Sequence, residues 1–300
     1  VTGVQTCALP ILLYLSAAPG AQAQAHSYPG ATPCDTTLQA CIDGANSGDV
    51  IWLSSNSYIA EDVAIEKNLT LMPQPASGIQ PSVRRITARA TTDDVRVVVI
   101  GLTSLGGASR VRGVLGPGGG NLSLTVNDSE LTGRNYDAAL ELTASTVPGT
   151  YGQAYGTFNR NTVHQTGSAG VCAPGIAAYA FRLGMVAIAA GNTVIANDLG
   201  QCAAMQFVAS GARTPITLQV FARKNIVQAR NLTGGGISLR SALGALSARV
   251  ADNLVTGQDS SVGLMVLADG RDATAQVQVT NNTVTGHAYG AHVAARTDLF

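Results

Sequence analysis

The chain has 300 residues, of which 46% are hydrophobic and only 12% charged, and its 18 Lys and Arg balance its 18 Asp and Glu to a formal net charge of zero. That hydrophobic share excludes wholesale disorder, and the neutral balance excludes both the basic field that nucleic acid requires and the acidic run that a cationic partner requires. The 34 glycines and the 5% aromatic content suit many tight turns around small stacked side chains.

Residues 1–11, VTGVQTCALPI, resemble a translated sequencing adapter, which sets them and Cys7 apart from the protein proper. Residues 12–25, LLYLSAAPGAQAQA, then read as the surviving end of a secretory signal peptide: a short apolar run followed by small residues, with Ala23-Gln24-Ala25 as the cleavage site. The run is far below the roughly 20 residues that a membrane span needs, so no transmembrane span is expected in the mature chain. Residues 26–300 are expected to form one domain outside the cell, secreted or held at its surface.

Asp35, Thr36 and Thr37 offer N-caps to an i, i+3, i+4 apolar spacing at Leu38, Cys41 and Ile42, which predicts a short amphipathic helix ending near Gly44. Residues 47–71 alternate as strands, and residues 34–72 together read as an N-terminal cap and first coil. VRVVVI at 95–100 predicts a buried strand. The Gly-rich stretch 101–120 ends in GPGGG, a loop; without a following Lys-Ser/Thr pair or helix it is no phosphate cradle.

From residue 122 one phrase recurs: SELTG, NTVHQTG, NTVIAND, NIVQARN, NLVTGQD and NTVTGHA, starting at Ser129, Asn161, Asn192, Asn225, Asn253 and Asn282. Intervals of 32, 31, 33, 28 and 29 residues belong to a solenoid. Two residues after each start stands Leu131, Val163, Val194, Val227, Val255 or Val284; three residues before it stands Val126, Phe158, Ala189, Ala222, Val250 or Val279. Both sets are expected to stack inward. A second strand follows in each unit, with triplets centred on Glu141, Ala177, Gln206, Ser238, Met265 and His292; period-two alternation puts the outer members inside and these central residues outside. The regular repeats occupy residues 122–300, and the last unit stops at Phe300 without a polar cap, as expected of a chain cut short.

These repeats resemble the right-handed parallel β-helix of the pectate-lyase-like superfold. The fold class expected is therefore all-β, a right-handed parallel β-helix solenoid with a short N-terminal capping helix. In that family an Asn recurs at one turn of successive coils, tolerating the left-handed backbone and passing amide hydrogen bonds along the stack. The resemblance assigns that structural ladder to Asn161, Asn192, Asn225, Asn253 and Asn282, with Ser129 departing from it.

Enzymes of the superfold carry carboxylates on adjacent coils, as calcium ligands with an Arg base in lyases or as acid and base in hydrolases. Here the outward column of the second strand holds one carboxylate, Glu141, and two columns before the Asn position hold none. The richest local group is Asp128, Glu130, Arg134, Asp137 and Glu141, the candidates for a catalytic or cation-binding role, against solvated turn charges as the plainer alternative. No His/Cys metal spacing or nucleophile elbow occurs, so no cofactor or metal is expected, with calcium reserved for the lyase alternative. The function expected is a secreted or cell-surface scaffold presenting a face to polysaccharide or another surface; the alternative is a polysaccharide lyase or glycoside hydrolase. Cys172 and Cys202 follow their Asn residues by 11 and 10 positions, so stacking at about 4.8 Å would place them within disulfide reach, with Cys34 and Cys41 as the other pair. Free thiols, or a zinc site using all four, are the competing assignments.

Overall fold

The computed structural model describes residues 23–104, 107–134, 137–144, 152–167, 173–181, 183–211, 217–270 and 272–296. The adapter-like residues, most of the expected signal and Cys172 lie outside the described residues. The chain is a parallel β-solenoid of about 8 turns, with 64% strand and 3% helix. Its strands pair in parallel because each coil returns to the same face one strand spacing further along the axis.

Three faces run along the stack. Face 1 is a ten-stranded sheet from Ala25–Tyr28 to Thr274–Thr280 and contains the strand that precedes each repeated Asn. Face 2 carries the strand after the Asn, from Glu130–Arg134 onward. Face 3 carries the returning strand, from Tyr58–Ile65 onward. Faces 2 and 3 belong to one 13-stranded sheet because the 16-residue strand Leu254–Asp269 runs through both.

The repeat spacing becomes register directly. Leu131, Val163, Val194, Val227, Val255 and Val284 are Cα partners in one file on face 2, and the first five are at most 1% exposed. Val126, Phe158, Ala189, Ala222, Val250 and Val279 form the matching file on face 1; the first five are buried, whereas Val279, in the last described coil, is 46% exposed. Leu140, Ile176, Met205, Ile237 and Leu264 align on face 3 and are buried. Burial of each such aliphatic side chain contributes roughly 1.5–3 kcal/mol, and no coil could bury these faces without its neighbours.

Two details of the expected exposure are corrected. The outward file on face 3 has the expected register, but Ala177 is 0% and Ser238 3% exposed. Both small side chains lie between longer neighbours in the adjacent coils, Glu141 and Gln206 around Ala177, Gln206 and Met265 around Ser238, and these cover them at strand spacing. The strand Val95–Ile100 buries only Val95, Val97 and Val99, with Arg96 exposed, so it is half-buried.

The Asn ladder forms, and its backbone differs from the expectation. Asn161 Nδ2 donates to Asn192 Oδ1 at 3.0 Å, Asn192 Nδ2 to Asn225 Oδ1 at 2.9 Å, Asn225 Nδ2 to Asn253 Oδ1 at 2.8 Å, and Asn253 Nδ2 to Asn282 Oδ1 at 2.8 Å. The Ser129 N–H donates to Asn161 Oδ1 at 3.0 Å, and the Ser129 Oγ accepts the Leu102 N–H at 3.2 Å, where the ladder ends. The left-handed residue is the one before each rung: Gly101, Asp128, Arg160, Gly191, Lys224, Asp252 and Asn281, all with φ between 52° and 65°. The corner turns at that exposed residue, which leaves the following Asn free to aim its amide into the stack.

The first end is closed by the helix Leu38–Gly44. Thr37 Oγ1 accepts the Ala40 N–H at 3.0 Å, the Glu61 carboxylate accepts those of Leu38 and Gln39, and Leu38, Cys41 and Ile42 face inward. Cys34 and Cys41 form a disulfide with Cα atoms 4.2 Å apart. Cys202 is buried and disulfide-bonded, and its expected partner Cys172 lies outside the described residues.

Candidate functional site

On face 3 the outward file of Glu141 continues toward the N-terminus as Arg112 and Thr87, and the neighbouring file pairs Asp62, Arg85 and Arg110. Stacking at coil spacing therefore lines up side chains far apart in sequence. Arg112 Nε is 3.1 Å from Glu141 Oε1, which also accepts the Thr143 hydroxyl at 2.6 Å. Asp137 pairs with Arg110 and, at 3.4 Å, with Arg85 Nη2; Arg85 Nη1 is 3.5 Å from Asp62, and Arg84 Nε is 2.8 Å from that same carboxylate. Burial lowers the pKa of the Arg110 guanidinium and the charge of Arg85 beside it acts in the same direction, although a guanidinium stays charged.

Beyond Glu141, the Tyr179 and Phe181 rings stack with centroids 6.0 Å apart and planes 17° from parallel. Burial raises the pKa of the Tyr179 phenol, and the Glu141 charge raises it further, so the group remains a neutral hydrogen-bonding hydroxyl. These rings and Arg112, Asp137, Glu141 and Thr143 line a groove of about 370 Å³.

Of the five candidates from the sequence, Asp137 and Glu141 share this groove. Asp128 lies at the corner between faces 1 and 2, in a two-bond pair with Arg160 at 2.6 Å for each bond. Glu130, at the start of a face 2 strand, is 3.6 Å from His164 Nε2. Arg134 ends that strand, where its backbone carbonyl accepts the Asp137 N–H at 3.4 Å. Sequence reasoning missed Arg85, Arg110, Arg112, Tyr179 and Phe181. The alternation of Arg110-Val111-Arg112-Gly113 was the available signal, had the Glu141 file been extended upstream of residue 122.

Among the described residues no three of His, Cys, Asp and Glu come together as a metal site, and no helix is long and apolar enough to cross a membrane. Comparison of the chain with protein-family models, with curated proteins and with solved structures finds no match.

Proposed function

We propose that the protein is a secreted or cell-surface β-helix scaffold, of the pectate-lyase-like kind its repeats resemble, that binds polysaccharide along face 3. The observation that carries this reading is the groove in which the Tyr179–Phe181 pair adjoins the Arg112–Glu141–Thr143 network. Pyranose rings have an apolar C–H face that stacks on aromatic rings and an equatorial belt of hydroxyls that pairs with guanidinium and carboxylate groups. The Cys34–Cys41 disulfide supports an oxidising compartment.

The carboxylates favour binding over cleavage. Asp137 and Glu141 are each held by arginines, so a calcium ion there would meet guanidinium groups in place of free oxygen ligands, and the residues present do not fit that metal. Affinity electrophoresis through gels containing uronate-rich or neutral polysaccharides tests the reading. Retention of the protein that is lost in Tyr179→Ala supports it. New reducing ends or unsaturated products, with or without calcium, would establish the enzyme alternative instead.

A further inference from the structure

The first strand of the solenoid is tied to the stack at its very start. Gln24 O accepts the Val50 N–H at 2.8 Å, the Gln24 N–H donates to Asp49 Oδ1 at 2.8 Å, and the following strand Ala25–Tyr28 pairs in parallel register with Val50–Leu53. In sequence this strand overlaps the small-residue end of the expected signal, where two Ala-X-Ala sites stand two residues apart, Ala21-Gln22-Ala23 and Ala23-Gln24-Ala25. Cleavage after Ala25 would remove Gln24, both of its bonds and one of the four register pairs. Cleavage after Ala23 removes none of them.

Asp49 points to the same bond independently. Its carboxylate is 1% exposed and accepts the N–H groups of Gln24 and Asn46, yet among the described residues its ion-pair neighbour is His26, a cation only when protonated. Lys67, at the same end of the solenoid, donates to the carbonyls of Asp43 and Ala45. A carboxylate held out of water is stabilised by a permanent positive charge, and the main-chain nitrogen of Gln24 already lies at hydrogen-bond distance from it.

We propose that the signal is removed between Ala23 and Gln24 and that the new α-ammonium group of Gln24 pairs with the buried carboxylate of Asp49. The inference rests on the proposed secretion of the protein and moves the expected cleavage site by two residues. Hydrolysis adds water across the Ala23–Gln24 peptide bond; Ala23 leaves with the carboxylate, and the freed Gln24 amine takes up a proton. A neutral N–H donor thereby becomes a cation at an atom 2.8 Å from Asp49 Oδ1, and the bond becomes charge-assisted at both ends. Gln24 is exposed, so the other N–H groups of the ammonium keep water. Processing completes the anchor of the first coil, since the uncleaved chain offers Asp49 only the peptide N–H groups and the His26 ring.

Export of the chain from residue 12 onward, given a basic start, followed by peptide mapping of the exported protein, tests the proposal. The first peptide should begin at Gln24. Ala25→Leu changes an exposed residue and spoils only the second Ala-X-Ala site, so it should be processed at the same bond. At neutral pH the α-amine of the exported protein should react with an acylating reagent about tenfold more slowly than that of Asp49→Asn, because a carboxylate at ion-pair distance holds it protonated. His26 and Asp49 are the titratable groups that face it, and His26→Gln should keep most of the protection. The mapping result holds whether or not Asp49→Asn folds. A first peptide beginning at His26, processing abolished by Ala25→Leu, an α-amine closed to a lactam, or one as reactive in the parent as in Asp49→Asn would each overturn the proposal and leave secretion standing. Export without any cleavage would overturn both.

Discussion

Asn192 and Asn225 are joined twice: both the backbone N–H and the side-chain Nδ2 of Asn192 donate to the single Oδ1 of Asn225, at 3.0 and 2.9 Å. Asn225 in turn donates Nδ2 to Ala189 O and to Asn253 Oδ1. Each rung thereby satisfies buried groups contributed by three coils. Removing one rung strands the Asn192 N–H where water does not reach and takes one donor each from the Ala189 carbonyl and Asn253 Oδ1. At about 1–3 kcal/mol for a buried group left unpaired, with the lost bonds added, Asn225→Ala should lower stability by about 3 kcal/mol. Thermal melts check this, with Gln228→Ala as the comparison: Gln228 is exposed on the strand that follows Asn225, so its loss should be within about 1 kcal/mol.

Val227 is fully buried in the face 2 file, whereas Gln228, the next residue, is exposed on the opposite side of the same strand. Val227→Asp should abolish cooperative folding, because an unpaired carboxylate in that file costs more than the roughly 1.5–3 kcal/mol that the valine contributes. Gln228→Asp should fold as the parent does. Ser238, which the alternation places outside, is unsuitable as the tolerant control, since it is 3% exposed beneath Gln206 and Met265. Circular dichroism on the pair reads the outcome, and equal stability would contradict the register.

The inward files were legible in the sequence because a solenoid converts a fixed interval into a fixed contact. Val163, Val194 and Val227 are 31 and 33 residues apart and are direct partners. Exposure was less legible, since Ala177 and Ser238 are covered by the size of residues on neighbouring coils and not by their own alternation. The arginines of face 3 were missed for another reason. Upstream of Ser129 the ladder passes to Leu102, an aliphatic rung, so the Asn phrase that marks each coil stops and nothing aligned Arg112 with Glu141. The corner conformations also escaped, because left-handed φ falls on Arg160 and Lys224 as well as on Gly191.

The Cys34–Cys41 bridge closes a loop of seven residues around the start of the capping helix. In the chain-entropy account a loop this short contributes about 2 kcal/mol, so Cys34→Ser with Cys41→Ser should loosen the cap by about that amount and leave the later coils in place. Hydrogen exchange along the chain measures the effect and its reach. Peptide mapping without reduction checks the pairings themselves: a Cys34–Cys41 cross-link is expected, and a Cys172–Cys202 cross-link would establish the one-coil offset between those two positions.

Asp49 anchors the first strand to the stack. Its carboxylate is 1% exposed, accepts the N–H groups of Gln24 at 2.8 Å and Asn46 at 2.7 Å, and lies 2.9 Å from His26 Nε2. Burial alone would raise its pKa, but the Gln24 N–H, the His26 ring and the Asn46 N–H together outweigh burial and hold it below the ordinary carboxylate value. A depressed folded-state pKa means that Asp49 contributes stability fully above the unfolded value of about 4, and that the contribution is lost as pH falls through the lower folded-state value. Exchange of the amides in Ala25–Tyr28 should therefore be slow and constant near neutrality and accelerate as pH falls below about 4, after correction for intrinsic rates. Asp49→Asn keeps an acceptor but loses the charge, so it should show fast exchange in that strand at neutral pH and no acid transition. A transition that persists in Asp49→Asn would assign the titration to another group.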